Sequence, residues 1–292
     1  MNKSLKYLII ISLGAALIFA LLSYLNLKKS IDIKELSEAV GQIGEMESHL
    51  IAKKIDWTAV EKLYSGPLKN FVKETKRFAS NSYLHGKIVD SITEGQKGDV
   101  GDVAAIILRR TWLRVCLFYV DALMAPQEEQ EQNLSAAERI ERVHVVMPPV
   151  RRFVAASGEV AENSVNGALR AWEVDPDNRQ SALDFHEAVA DVLGATILIR
   201  LAQWRREDVN TDKGYRRALV LQAEMRQLIF PVYAEFYDAK GRNAWEVLTE
   251  FTRRPTEMDP EVIEERLSEY FEGRLEKKGL IPKNEEATSP AE

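Results

Sequence analysis

DVAAIILRRTWLRVCLFYVDALM, Asp102 to Met124, is as long and nearly as apolar as a membrane span, yet it carries Arg109, Arg110 and Arg114 near its middle. Charges at that depth in a bilayer cost about 3 kcal/mol each on insertion scales, so the stretch predicts the central core helix of a water-soluble domain. At about 100° per residue, Arg110, Arg114 and Asp121 fall within roughly 40° of one another, and Arg109 and Asp102 lie together about a quarter-turn away. Apolar residues take most of the remaining arc. Such an arginine stripe needs carboxylates from a neighbouring helix, which is the commoner solution, or an anionic ligand.

The partner that the sequence offers is a second long helix over Ser181 to Arg206. Asp184, Glu187 and Asp191 share one of its sides at i, i+3 and i+7, suited to the arginines or to a hard cation. His186 lies across the helix among Val189, Leu193, Ile197 and Trp204. A core histidine bonded to a polar neighbour is the ordinary account of it, and a metal or haem ligand the alternative. Arg110, Arg114, Asp184, Glu187 and Asp191 are thus the candidate ligand-binding residues, and His186 the candidate metal ligand.

Further out lies YLIIISLGAALIFALLSYL, Tyr7 to Leu25, uncharged and apolar. At about 1.5 Å per residue it spans roughly the 30 Å of bilayer hydrocarbon. Lys3 and Lys6 precede it, as in a signal peptide, but it leaves through Leu21 to Leu27 without an A-x-A site. Residues 7–27 are therefore expected to be an uncleaved, single-pass signal anchor behind a stub at 1–6. A stub this short favours an extracytoplasmic soluble domain.

The remainder reads as helix after helix. Ile33, Leu36, Val40, Ile43, Met46 and Leu50 make an amphipathic stripe, which predicts a helix packed on the domain, with a homodimeric coiled coil through Ile33 to Leu50 as the alternative. Thr58 and Glu61 have capping-box spacing, Ser80 to Gly101 reads as loop, and Ser135 and Glu138 form a second capping box. Pro148 and Pro149 predict the end or a kink of that second helix, and the next helix is expected from about Val150 toward Glu173 with Gly158 and Gly167 as breaks. A long helix follows from Thr211 to Asp238, kinked at Pro231. Asp259 and Pro260 cap a last amphipathic helix. No segment alternates with period two, so the fold class is all-α: an anchor helix followed by a large multi-helix soluble domain. Its expected parts are a first helical half at 33–124, a linker at 125–134, a second half at 135–278 packing on the first, and a disordered tail at 283–292.

Composition narrows the function classes. A net charge of -6 over 292 residues disfavours binding to nucleic acid, and the lone Cys116 excludes an intrachain disulfide. No G-x-S-x-G, H-E-x-x-H, P-loop, G-x-G-x-x-G or C-x-x-C motif is present, and His49, His85, His144 and His186 lack ligand spacing. IDWTAVEKLY, Ile55 to Tyr64, together with the helical layout, resembles the low-iron-inducible periplasmic iron-assimilation proteins. Where that family has a YxLHEL-like stretch with a histidine, this chain has LFYVDALM at Leu117 to Met124. The resemblance implies iron handling outside the cytoplasm, and no site residue follows from it. Two expectations result. One is a non-enzymatic, membrane-anchored interaction or scaffold protein without a cofactor, with the lipid bilayer at Tyr7 to Leu25 and another protein as partners. The other is an extracytoplasmic protein that binds iron, haem or a small ligand.

Overall fold

The computed structural model describes residues 31–78, 83–129, 134–271 and 273–282. The described chain runs through α1 (Ile33–Leu50), α2 (Trp57–Leu63), α3 (Gly66–Phe78), α4 (Tyr83–Lys97), α5 (Gly101–Met124) and a 3-10 turn at Gln127–Glu129. It continues through α6 (Ala136–Ala155), α7 (Glu159–Val174), α8 (Arg179–Trp204), α9 (Asp212–Ile229), α10 (Tyr233–Lys240), α11 (Arg242–Glu250), α12 (Pro260–Phe271) and α13 (Arg274–Lys277). No strand occurs among the described residues, and the fold is all-α.

Local chemistry starts most of these helices. The Asp32 side chain accepts from the Lys34 amide at 2.8 Å to cap α1, and Ser135 and Glu138 make a reciprocal capping box on α6. For α2 the cap is Asp56, whose carboxylate accepts from the Ala59 amide at 3.0 Å, rather than the Thr58 and Glu61 pair that spacing suggests. The Asp56 carboxylate, just before the helix, reaches the third amide directly, which leaves Thr58 inside the first turn.

Packing overrides two local signals. The stretch read as loop, Ser80 to Gly101, contains the fifteen-residue helix α4, which buries Leu84, Ile88 and Ile92. Its Gly95 is not punctuation: a Cβ there would stand 2.3 Å from the indole of Trp57, so glycine is what lets α2 and α4 touch. Likewise α6 runs through Pro148 and Pro149 instead of ending there. An interior proline costs about 3 kcal/mol, but Val146, Met147, Val150 and Val154 flank the pair fully buried, at about 1.5–3 kcal/mol each. The break falls at Gly158, and Gly167 is inside α7. Pro231 separates α9 from α10 where a kink in one helix was expected.

Apolar almost all round, α5 sits where such a helix must, at the centre, against α1, α3, α4, α6, α8 and α9. The α1 stripe of Leu36, Val40, Ile43, Met46 and Leu50 is buried within the protomer. One hydrophobic core runs through both expected halves. The first residue of the linker is held: fully buried Arg139 donates to the carbonyls of Ala125 (2.9 Å) and Pro176 (3.2 Å) and to Asp177 (2.6 Å). Among the described residues no helix is long and apolar enough to cross a membrane. The expected anchor at Tyr7 to Leu25 and the tail at 283–292 lie outside the described residues.

Candidate functional site

The arginines of α5 and the carboxylates of α8 do not meet, which corrects the pairing expected from sequence. Helix α9 packs closely on both, whereas α5 and α8 touch only lightly. The carboxylate opposite the stripe is therefore Glu224 of α9, 4% exposed. It accepts from Arg110 Nε at 2.9 Å, from Arg110 Nη2, and from Arg200 Nε of α8 at 2.8 Å. One buried anion thus ties three helices together, with two guanidinium groups balancing it.

The acidic side of α8 has other partners. Fully buried Asp191 accepts from Arg274 Nε and Lys278 Nζ, both at 2.6 Å, and Glu187 from Lys278 Nζ at 2.8 Å. Asp184 accepts from Gln180 Nε2 within its own helix at 2.7 Å. His186 is not held among apolar side chains. Its Nδ1 lies 3.4 Å from Asp121 Oδ1, and its Nε2 lies 2.9 Å from Glu235 Oε1, off the line of the N–H. Among the described residues no group of three or more His, Cys, Asp or Glu side chains is placed to hold a metal ion.

Arg110 also faces a cavity of about 510 Å³ between α1, α5, α6 and α8. Arg109 and Arg110 of α5, Arg152 of α6 and Arg200 of α8 bring four cations to its wall. Glu47 of α1 accepts from Arg152 Nη2 at 2.6 Å and Nε at 3.2 Å. Counting Glu224 behind the wall, two carboxylates stand against four guanidinium groups. Arg110 and Arg200 share one carboxylate, and Arg109 adds to the surplus: its Nε is buried and meets no hydrogen-bond partner among the described residues. Burial first, then the charge of Arg110 beside it, holds its pKa below the ordinary arginine value.

Hydroxyls and apolar groups complete the cavity. Ser157 Oγ stands 3.4 Å from Thr196 Oγ1, while Leu113, Phe153 and Ile199 supply apolar wall. Phe153 also stacks under the Arg110 guanidinium at 4.9 Å, which fixes its plane. Among the lining residues there is no histidine or cysteine, and the one carboxylate, Glu47, is engaged by Arg152. Such a wall suits recognition of an anion with an apolar body.

Of the residues singled out from sequence, only Arg110 belongs to this cavity. Arg114, one turn on, stacks over Phe230 at 4.4 Å and Phe118 at 5.4 Å and lines a different cavity. Arg109, Arg152 and Arg200 were missed as site residues. An adjacent Arg109–Arg110 pair inside an apolar run was the signal for the first, whereas nothing local marks the other two. None of the family models, curated proteins or solved structures compared with this chain matches it.

Proposed function

We propose that the chain is a non-enzymatic binding protein that takes an organic anion, a carboxylate or phosphate ester with an apolar body, into the cavity between α1, α5, α6 and α8. The observation that carries this reading is the charge surplus: four arginines against two carboxylates, with the buried Arg109 Nε unmet among the described residues. A fold that only needed ion pairs would match its cations. In this reading Tyr7 to Leu25 tethers the protein to a membrane as an uncleaved anchor, with the binding domain outside the cytoplasm.

Calorimetric titration with octanoate and octyl phosphate tests it. Each charge-assisted hydrogen bond is worth about 1.5–3 kcal/mol, so Arg109→Gln and Arg152→Gln should each weaken binding by roughly 10- to 100-fold. Arg179→Gln, on the exposed surface away from the cavity, should leave it unchanged. Absence of binding to the parent, or equal binding by all variants, would overturn the reading. The iron handling implied by IDWTAVEKLY is checked on the same sample by metal analysis and a visible absorption spectrum. A scaffold role is favoured by one observation, the aromatic side chains of Tyr237 and Trp245, 51% and 60% exposed on consecutive helices. Tyr237→Ser with Trp245→Ser should then abolish cross-linking of the chain to a neighbour in its native membrane.

A further inference from the structure

One turn along α5 from Arg110, a second cavity of about 310 Å³ opens between α4, α5 and α9. Lys87, Arg114 and Arg226 line it with Leu84, Gln227 and Phe230. Arg114 is 8% exposed, and its guanidinium is held by the two phenylalanine rings described above. Gln227 is 2% exposed. Arg114 Nε, Arg226 Nε and Gln227 Oε1 are all buried without a hydrogen-bond partner among the described residues. Among those residues none of the three cations is in an ion pair. The acid that acts on the group is Asp90, one turn along α4 from Lys87, which leaves two positive charges uncompensated.

Holding one buried and two half-buried cations together is unfavourable twice over, through lost hydration and through mutual repulsion. Both effects register on the side chains. Burial pulls Arg114 down to about 10. Burial, then Arg226, lowers Lys87, with Asp90 opposing and Arg114 adding to the fall. A purely structural cluster would have a carboxylate at its centre, as Glu224 and Asp191 are elsewhere in this fold. Here the centre is a cavity of ligand size.

We propose that Lys87, Arg114 and Arg226 form a second anion site, separate from the arginine-walled cavity, that binds a phosphate group as inorganic phosphate or a small phosphate monoester. Arg114, planar and fixed by its rings, supplies two parallel donors, Lys87 a point charge, and Arg226 a further guanidinium. The Gln227 amide meets a protonated phosphate oxygen or a hydroxyl of the ester.

The site makes a paired prediction that a structural cluster does not. The full chain in detergent is melted in chloride and in phosphate or glycerol phosphate at equal ionic strength. Phosphate should raise the parent's midpoint. Lys87→Gln and Arg226→Gln should each melt higher than the parent in chloride, because a like charge has gone, and should bind phosphate about tenfold more weakly or worse by calorimetry. A response to glycerol phosphate but not to inorganic phosphate assigns the site to the ester. No response of the parent to either anion would overturn the proposal, as would a response that both variants retain. A response that survives in both variants but disappears in Arg109→Gln would place phosphate in the first cavity and overturn the second site alone.

Discussion

Gly194 of α8 lies under the ring of Phe271, the last residue of α12, so closely that a Cβ would stand 2.2 Å from the ring. Gly194→Ala should therefore force Phe271 aside and destabilise by about 1–3 kcal/mol. Gly41→Ala, in the interior of α1 with nothing within 4 Å, should stabilise by about 0.5–1 kcal/mol. Urea midpoints of the two variants check the contrast. His186 makes a pH-dependent prediction. Burial opposes its charge, but Asp121 and Glu235 outweigh burial and hold its pKa at about 10. Raised above an unfolded value of about 6.5, it contributes stability that is complete below that pH and lost as pH rises through about 10. Midpoints followed from about pH 6 to about pH 10.5 should fall in the parent and fall less in His186→Gln. The residue types were legible here, and their surroundings were not. Helical spacing puts His186 beside Val189 and Leu193, but Asp121 and Glu235 come from other helices, and no period within α8 announces them.

Among the described α-helices, α13 is the shortest, yet it answers a fully buried charge. Its Arg274, with Lys278 just beyond, neutralises Asp191, which is fully buried in α8. A chain ending at Phe271 strands that carboxylate, at a cost of about 3–5 kcal/mol. Asp191→Asn in the shortened chain should recover part of the loss, whereas in the full chain it should destabilise. Comparing urea midpoints across the four proteins tests both signs. Elements with local signatures were readable: Asp259 accepts from the Glu261 amide at 2.9 Å to start α12, and the Ser135 box starts α6. Those that depend on a distant contact were not. Gly95 reads as loop until Trp57 is laid against it, and two consecutive prolines read as an end or a kink until the apolar side chains around them are counted.

For the whole molecule, the helical class and the centrality of α5 and α8 follow from periodicity and length. Which helix lies between them does not. The arginine stripe meets a carboxylate other than those of α8 because α9 intervenes, and its Glu224 is 114 residues from Arg110. The single core and the Arg139 bonds to Ala125 and Asp177 imply cooperative unfolding, so circular dichroism and tryptophan fluorescence should report one coincident transition. Two separated transitions would mean that the halves on either side of the linker fold independently. The anchor expected at Tyr7 to Leu25 is tested by intact mass: protein extracted from membranes should retain Tyr7, and a mature chain starting near Leu21 to Lys28 would identify a cleaved signal peptide instead.

The Asp191 triad also has a history in time. Arg274 and Lys278 are joined to the chain 83 and 87 residues after the carboxylate they neutralise. At about 5–20 residues per second, a nascent chain carries Asp191 for roughly 4–17 s before either cation exists. During that interval the inward side of α8 cannot be sealed, because the charge on it still needs water. Full neutralisation of Asp191, and with it the closing of that side of α8, therefore has to wait until Arg274 and Lys278 have been made.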